Sequence, residues 1–469
     1  MQYLRVVGRG RALSQSLTLL LGSMIASVAV SAWGETLDLQ QCVNMAFTQN
    51  ADIKVSQAQI AQAEGALRQA RGQAFPKLTA SVTGTRTNDA LNAFGLKLSE
   101  RNATFNDFGA GQFTGPAALG VAPDNLNYPG TVSNVNTRLE LQIPLYNGGM
   151  ISGYIDQAQA YVKAAQQGDE MARQEVIFHV VQAYQGVYTA RAYVQVTEQA
   201  IAAAGANVKT TQNLLREGVV VRSDLLFAEV SLADLKAKLQ AAKHSEASAL
   251  DQLHLLLGMP LDEKLELGPE FMPKPVEGDV GKLQAEAIDV NPGIIALRHQ
   301  LEAAGAGVDV AQANYYPHFN AMLRQDWNDP ALRLNASSYT LAGVLSWQIL
   351  DFGATRGAVS RAEASRSELR ARLDQAVAGV RYKVADSWRG AAEAEELVNV
   401  RMAALDQAEE AQRLVQKRYE NGVAVMVEVL AALAQLDKAR ADLVAAHYEL
   451  AIQRTSLRLA VGKLNLEQL

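Results

Sequence analysis

Three features of the 469-residue chain predict an α+β membrane protein. The sequence is a tandem duplication, each copy holds a pair of short alternating strands, and each copy holds a proline-poor helix far longer than a globular domain needs. Together they predict four strands per chain, shared as one transmembrane β-barrel of twelve strands per trimer. The barrel is expected to continue into a long periplasmic α-helical barrel built from the same structural repeat.

Composition sets the limits. Hydrophobic residues make up 49% and charged residues 20% of the chain, with mean hydropathy −0.05, which is enough apolar material for a large core. Beyond the first thirty-odd residues no apolar run reaches the ~18 residues that a transmembrane helix requires. A net charge of −6 and a pI near 5.7 exclude a nucleic-acid partner, because phosphate neutralisation needs a basic surface. The single cysteine, Cys42, excludes an intrachain disulfide and any cysteine-rich zinc site.

Residues 1–32 read as a signal peptide: Arg5, Arg9 and Arg11 precede an apolar stretch from about Leu17 to Val30, and Val30-Ser31-Ala32 supplies small residues for cleavage. Ala32-Trp33-Gly34 is a second possible cut. Removal takes three arginines and no acid, so the exported chain is more acidic than its precursor. Cys42 lacks the surroundings of a lipid-bearing first residue and reads as a small buried hydrophobe on a helix.

The duplication shows as two offsets. A shift of 241 places Asn50 on Asn291 and Phe75-Pro76 on Tyr316-Pro317, whereas a shift of 204 places Gly218-Val219 on Gly422-Val423 and Gly258 on Gly462. The first copy, 33–268, therefore holds extra residues between Pro76 and Gly218. A segment at about 87–135, rich in Asn, Gly, Pro and Ala and without helical period, reads as a long surface loop. The second copy is 269–469, and Pro260, Pro269, Pro273 and Pro275 mark the join.

Each copy opens with a helix and proceeds to its strands. Leu78, Ala80 and Val82 alternate with Thr79, Ser81 and Thr83, and Leu139, Leu141 and Ile143 alternate with Arg138, Glu140 and Gln142. These predict strands at about 77–86 and 137–145. Their counterparts are expected at 318–327 and 337–350, and all four have the length of a tilted bilayer-crossing strand. Long helices follow at about 147–216 and 352–420. In the first, Ile177, Val180, Val181, Tyr184, Val187 and Tyr188 form a continuous seam. At ~1.5 Å per residue, such helices reach roughly 100 Å. Glycine turns at 217–223 and 421–426 reverse each chain into Ala-rich helices that return to about Gly258 and Gly462.

Closure then selects the assembly. Lipid tolerates no open sheet edge, and the smallest membrane barrels have about 8 strands. Two chains would close a barrel filled by side chains, and three leave a lumen. Polar inward faces bearing Arg138, Glu140 and Gln142 favour the water-filled option.

Leu37-Asp38-Leu39 with Val43, Ala46 and Asn50, the strand end Ile143-Pro144-Leu145-Tyr146-Asn147-Gly148-Gly149, its weaker copy Leu350-Asp351-Phe352-Gly353, and Arg418-Tyr419-Glu420-Asn421-Gly422-Val423 resemble the TolC family of outer-membrane efflux proteins. The resemblance covers essentially the whole mature chain. It implies a trimeric exit duct of a tripartite efflux pump or a type I secretion system in the outer membrane, with a large periplasmic extension. A periplasmic adaptor protein would join that duct to an inner-membrane transporter. It also implies adaptor contact at the helical tips, at Gly218, Val219, Gly422 and Val423.

At the gate, Ser223 and Asp224 match the family's first-copy partners, Tyr419 the second-copy tyrosine and Glu428 one acid of the narrowest ring. The family's gate arginine is replaced by Ala424 and its second ring acid by Ala431. Arg222 is the expected substitute latch, paired with Glu428 or with Asp224 of a neighbour. No H-E-x-x-H, G-x-x-x-x-G-K-[ST] or G-x-S-x-G motif is present, so neither an enzyme nor a cofactor site is expected. The alternative class, a periplasmic adaptor or coiled-coil scaffold, leaves four bilayer-length strands without a purpose.

Overall fold

The computed structural model describes residues 36–467; the expected signal peptide lies outside them. In chain order the first copy runs α1 (Leu39–Gln49), α2 (Ala51–Gly72), β1 (Lys77–Thr87), α3 (Ala90–Ser99), α4 (Asp124–Asn127), β2 (Val132–Tyr146), α5 (Met150–Arg216) and α6 (Arg222–Leu257). The second copy runs α7 (Val280–Val290), α8 (Pro292–Gln312), β3 (His318–Asp329), β4 (Ser337–Ser346), α9 (Ala354–Glu420) and α10 (Met426–Val461).

Local chemistry sets the helix starts. The Asp38 carboxylate accepts from the Gln41 N–H at 2.7 Å while Gln41 Oε1 accepts from the Asp38 N–H at 2.8 Å, a reciprocal cap for α1. Asn50 then ends α1 in extended backbone and caps α2 through the Asp52 N–H at 2.8 Å. Asn291 has the same role between α7 and α8, accepting from Gly293 N–H at 3.0 Å. One asparagine thus bends the chain and satisfies an N–H that would otherwise lack a partner.

The strands form one antiparallel sheet in the order β1-β2-β3-β4. Its register aligns Leu78, Leu141, Leu323 and Leu341 in one row across all four strands. Adjacent rows align Thr79, Glu140, Arg324 and Thr340, and then Ser81, Arg138, Asp326 and Ser338. Alternation therefore makes one apolar and one polar face. The leucine row is open to solvent in the single chain, with Leu78 69% and Leu341 75% exposed. Among the described residues neither β1 nor β4 has a partner on its outer edge.

Strand ends depart from the sequence expectation where pairing overrides hydropathy. β2 starts at Val132: Asn134 and Asn136 continue the polar face of Arg138 and Glu140 and pair with Thr85 and Thr83, although Ser133 and Thr137 interrupt the apolar face. β4 stops at Ser346, opposite the first residue of β3, so Trp347–Leu350 have no ladder partner among the described residues, although Trp347 Nε1 donates to the Tyr315 carbonyl at 3.1 Å. The expected loop at 87–135 is instead a folded insertion over residues 88–131, with α3, α4 and short 3-10 turns. Asp89 caps α3 through the Asn92 N–H at 2.9 Å. These elements are too short to show a helical period.

The long helices, α5 and α9, have 67 residues each, and each starts after a glycine with positive φ, Gly149 at 90° and Gly353 at 92°. Near the sheet the packing order is α2, α5, α8, α9, and toward the far end it is α6, α5, α10, α9. The main core lies between these levels. Val180, Val181, Tyr184 and Val187 of α5 meet Cys42, Val43 and Ala46 of α1, Ile53 of α2 and Leu253 and Leu257 of α6. The segment joining the copies wraps this core, and Tyr184 Oη donates to the Pro269 carbonyl at 2.9 Å. Burial pushes the Cys42 thiol up to about 12, so it is an inert packing group. Among the described residues no helix is long and apolar enough to cross a membrane.

Candidate functional site

Two regions hold polar chemistry that the fold places deliberately: the paired helical tips and the polar face of the sheet. At the first tip, Gly218 has φ +79°. Its N–H donates to Leu215 O at 3.1 Å, and the Val219 N–H donates to Leu214 O at 2.9 Å. At the second, Gly422 has φ +70°, its N–H donates to Tyr419 O at 2.9 Å, and the Val423 N–H donates to Arg418 O at 2.8 Å. Both are Schellman turns, which close the last carbonyls of a helix and require the left-handed conformation that glycine adopts freely.

The two turns are neighbours, since a Cβ at Gly422 would stand 3.8 Å from Val219 Cγ1. Gly218, Val219, Gly422 and Val423 are thus gathered on one tip. The side chains of Val219, Val221, Val423, Val425 and Val427 are exposed there. Beneath them Tyr419, Ala424, Met426, Val429 and Ala228 form a small core. Ala424 is buried in it, so at this position the departure from the gate arginine is a packing choice.

Tyr419 is only 1% exposed, and its hydroxyl donates to Thr211 Oγ1 of α5 at 3.4 Å. Burial pushes its phenol above the ordinary range, and the nearby Asp224 charge acts in the same direction. Thr211 in turn donates to Asn207 O at 2.8 Å, which ties the residue to α5. Arg222 and Ser223 are exposed at the start of α6, and Asp224 is half-buried in its first turn. Asp224 and Glu428 both occupy first turns, where a helix N-terminus favours an anion.

The expected pairing of Arg222 with Glu428 does not occur within the chain. Glu428 is held instead by Arg418, with Nη1 to Oε2 at 3.5 Å. The second turn brings the end of α9 back against the start of α10, while Arg222 belongs to the other hairpin. In the sequence Arg418 figures only within the tip motif that ends in Gly422-Val423 and has no expected part in the gate. The signal available was its contrast with Leu214, the apolar residue at the matching position of the first copy.

On the polar face of the sheet, Asp326 is shared by two arginines. Its Oδ1 accepts from Arg138 Nε at 2.8 Å, and its Oδ2 lies 2.9 Å from Arg324 Nε. Asn136 Nδ2 bridges Asp326 Oδ1 and Asn328 Oδ1, both at 3.1 Å, and Asn134 Nδ2 reaches Asn328 Oδ1 at 3.1 Å. Of this network the strand alternation in the sequence marks Arg138 and Arg324 as polar-face residues. The others join them through cross-strand register between the two copies. Among the described residues no group of His, Cys, Asp or Glu is placed to hold a metal ion.

Comparison with known proteins agrees with this architecture. Residues 42–259 and 283–463 match the family described as outer membrane efflux protein. The outer membrane protein OprJ of Pseudomonas aeruginosa is 21% identical over 393 residues, covering 82% of this chain and 76% of OprJ. The alkaline protease secretion protein AprF of the same species is 23% identical over 348 residues, covering 70% and 69%. The crystal structure of the outer membrane protein VceC from Vibrio cholerae superposes with TM-score 0.73 at 19% identity, covering 90% of this chain and 96% of VceC. The match of the family over both copies is decisive: the chain belongs to the outer membrane efflux protein family, whose members are outer-membrane channel proteins and not enzymes.

Proposed function

We propose that three copies close into one passive exit duct, with a twelve-stranded barrel in the outer membrane and a helical conduit through the periplasm, opened at the tips described above. The observation that carries this reading is the unpaired state of both sheet edges beside a solvent-exposed leucine row. Lipid can cover the leucines, but the edges need strands, and β4 of one copy can supply what β1 of the next lacks. The helix order supports the same reading, because α9 is the last helix on one side at both levels and is therefore free to pack against α2 and α6 of the next copy.

In this reading the chain is exported by residues 1–32 and works with a periplasmic adaptor at the tips and an inner-membrane transporter beyond it. Arg222 faces the neighbouring copy and contributes to tip closure by pairing across the three-fold axis. Both small-molecule efflux and protein secretion fit the duct: the family is described as efflux proteins, and the relative AprF is a protease secretion protein. Native mass spectrometry in detergent tests the assembly. A trimer is expected, and a folded protein with the mass of one chain would overturn the reading. Extraction tests the class: an adaptor or scaffold leaves membranes without detergent, and this protein is expected to need it.

A further inference from the structure

The 88–131 insertion is the largest difference between the two copies, and the barrel does not need it, since β3 and β4 are joined by a short turn. It joins β1 to β2 at the end of the sheet opposite the helices. It is a folded module: Lys97 pairs with Asp107, and Asp107 also accepts from Thr104 N–H at 2.7 Å. Phe94 and Phe108 meet edge to face at 4.9 Å, and the Gln112 amide and Asp124 exchange two bonds at 2.7 and 2.8 Å.

A module so well tied should bury its apolar side chains, yet it does the reverse. Phe105 is 88% exposed, Tyr128 82%, Leu91 81% and Leu119 79%. Phe105, Phe113 and Leu119 border an open apolar hollow. Lipid is a poor cover for them. The eleven residues of β1, tilted at ~45°, already span the ~25 Å apolar band of an outer membrane, and the module starts beyond their outer end.

Its position suggests a different cover. The module leaves β1, one open edge of the sheet, and Arg101 Nη2 reaches the carbonyl of Ser337 at the start of β4, the other open edge, at 2.6 Å. It therefore spans the sheet between the two edges at which neighbouring copies must join. We propose that the three copies interlock through this module, the exposed apolar side chains of one being covered by the module of the next. The interlock continues the strand seam above the membrane. The proposal rests on the trimeric reading above.

Cysteine accessibility tests it. The chain's one cysteine, Cys42, is fully buried and is replaced by alanine. Phe105→Cys and, independently, Tyr128→Cys are then treated with a bulky maleimide, as trimers in detergent and in liposomes and as urea-denatured chain. Both sites are expected to react at least tenfold more slowly in trimers of either kind than in the denatured chain. Trimers that react as fast as denatured chain overturn the interlock, and so does protection confined to liposomes, which would assign the cover to lipid. A protein that native mass spectrometry finds monomeric overturns the trimeric reading itself, which separates the two failures.

Discussion

Arg418 and Glu428 approach to 3.5 Å across the second helical turn, one in the last turn of α9 and the other in the first turn of α10. Their side chains are 54% and 44% exposed, so the pair contributes about 0–1 kcal/mol and acts by biasing the turn. Arg418→Ala and Glu428→Ala are each expected to raise single-channel conductance of the reconstituted protein by a similar factor, with the double variant adding little. Additive effects would show that the residues act separately. Arg222→Ala tests the latch between copies: conductance equal to the parent would remove Arg222 from tip closure.

Tyr419 anchors the same hairpin from beneath. Tyr419→Phe removes one long hydrogen bond and is expected to cost about 0.5–1.5 kcal/mol. Tyr419→Ala also opens a cavity and is expected to cost about 3–5 kcal/mol. Because burial raises the phenol's pKa, its contribution is complete below the ordinary tyrosine range near 10 and is lost as pH rises through the higher folded value. Thermal dissociation of trimers, followed on semi-native gels, should rank parent, Phe and Ala in that order. A Tyr419→Phe protein as labile as Tyr419→Ala would place the role in the hydroxyl.

Architecture was legible in this sequence because duplication writes it twice. Leu78, Leu141, Leu323 and Leu341 each follow the two-residue period on their own, and register only adds that they form a single row. The polar site was less legible. Asn134 and Asn328 look like loop residues until pairing places their side chains 3.1 Å apart. Arg418 was obscured for another reason: on a long charged helix one arginine looks like any other solvated residue, and only the Schellman geometry selects the one that reaches Glu428. The 88–131 module read as a loop because its helices, of 10 and 4 residues, are shorter than the stretch of about 11–18 residues over which a helical period shows.

At the tips, Val219 and Val423 are 51% and 69% exposed. Glutamine at both positions is therefore expected to leave the trimer intact, since surface changes of this kind fall within about 0.5 kcal/mol. If the tips dock an adaptor as proposed, the same change should abolish pump activity by removing the apolar surface of that contact. Complementation of a strain lacking its own outer-membrane channel, with trimer level checked in parallel, gives the answer. Full activity of the double variant would move the docking surface elsewhere.

The module above the strands should be acid-sensitive. The side-chain hydrogen bond from Lys97 and those from Thr104 hold the Asp107 carboxyl down at about 2. A depressed carboxyl stabilises the fold above its unfolded value near 3.8, and that stabilisation is lost as pH falls from there to about 2. Maleimide reaction is slow in acid, so protease nicking within 88–131 by a protease active at low pH is the suitable readout. Cutting should rise across this window in the parent, and Asp107→Asn should already be cut freely at pH 5.

Asp326 is one of two carboxylates on the polar face of the sheet, beside Glu140. In a barrel closed as proposed, the polar face lines the lumen, and there Lys77, Arg138 and Arg324 face Glu140 and Asp326. Each chain thus contributes one more cation than anion to this level. The acidity of the whole chain, which by itself suggests a cation-favouring lumen, resides elsewhere on the molecule. Asp326→Asn keeps the shape but removes the charge shared by Arg138 and Arg324, leaving two neighbouring guanidiniums without an anion. Breaking a fully buried pair costs about 3–5 kcal/mol; here the arginine side chains remain 37% and 30% exposed, so water takes part of the load. The variant should therefore assemble with a lower dissociation temperature. Its reversal potential in a salt gradient should shift toward anions. A shift toward cations, or none in a correctly assembled trimer, would show that this face does not line the conducting path.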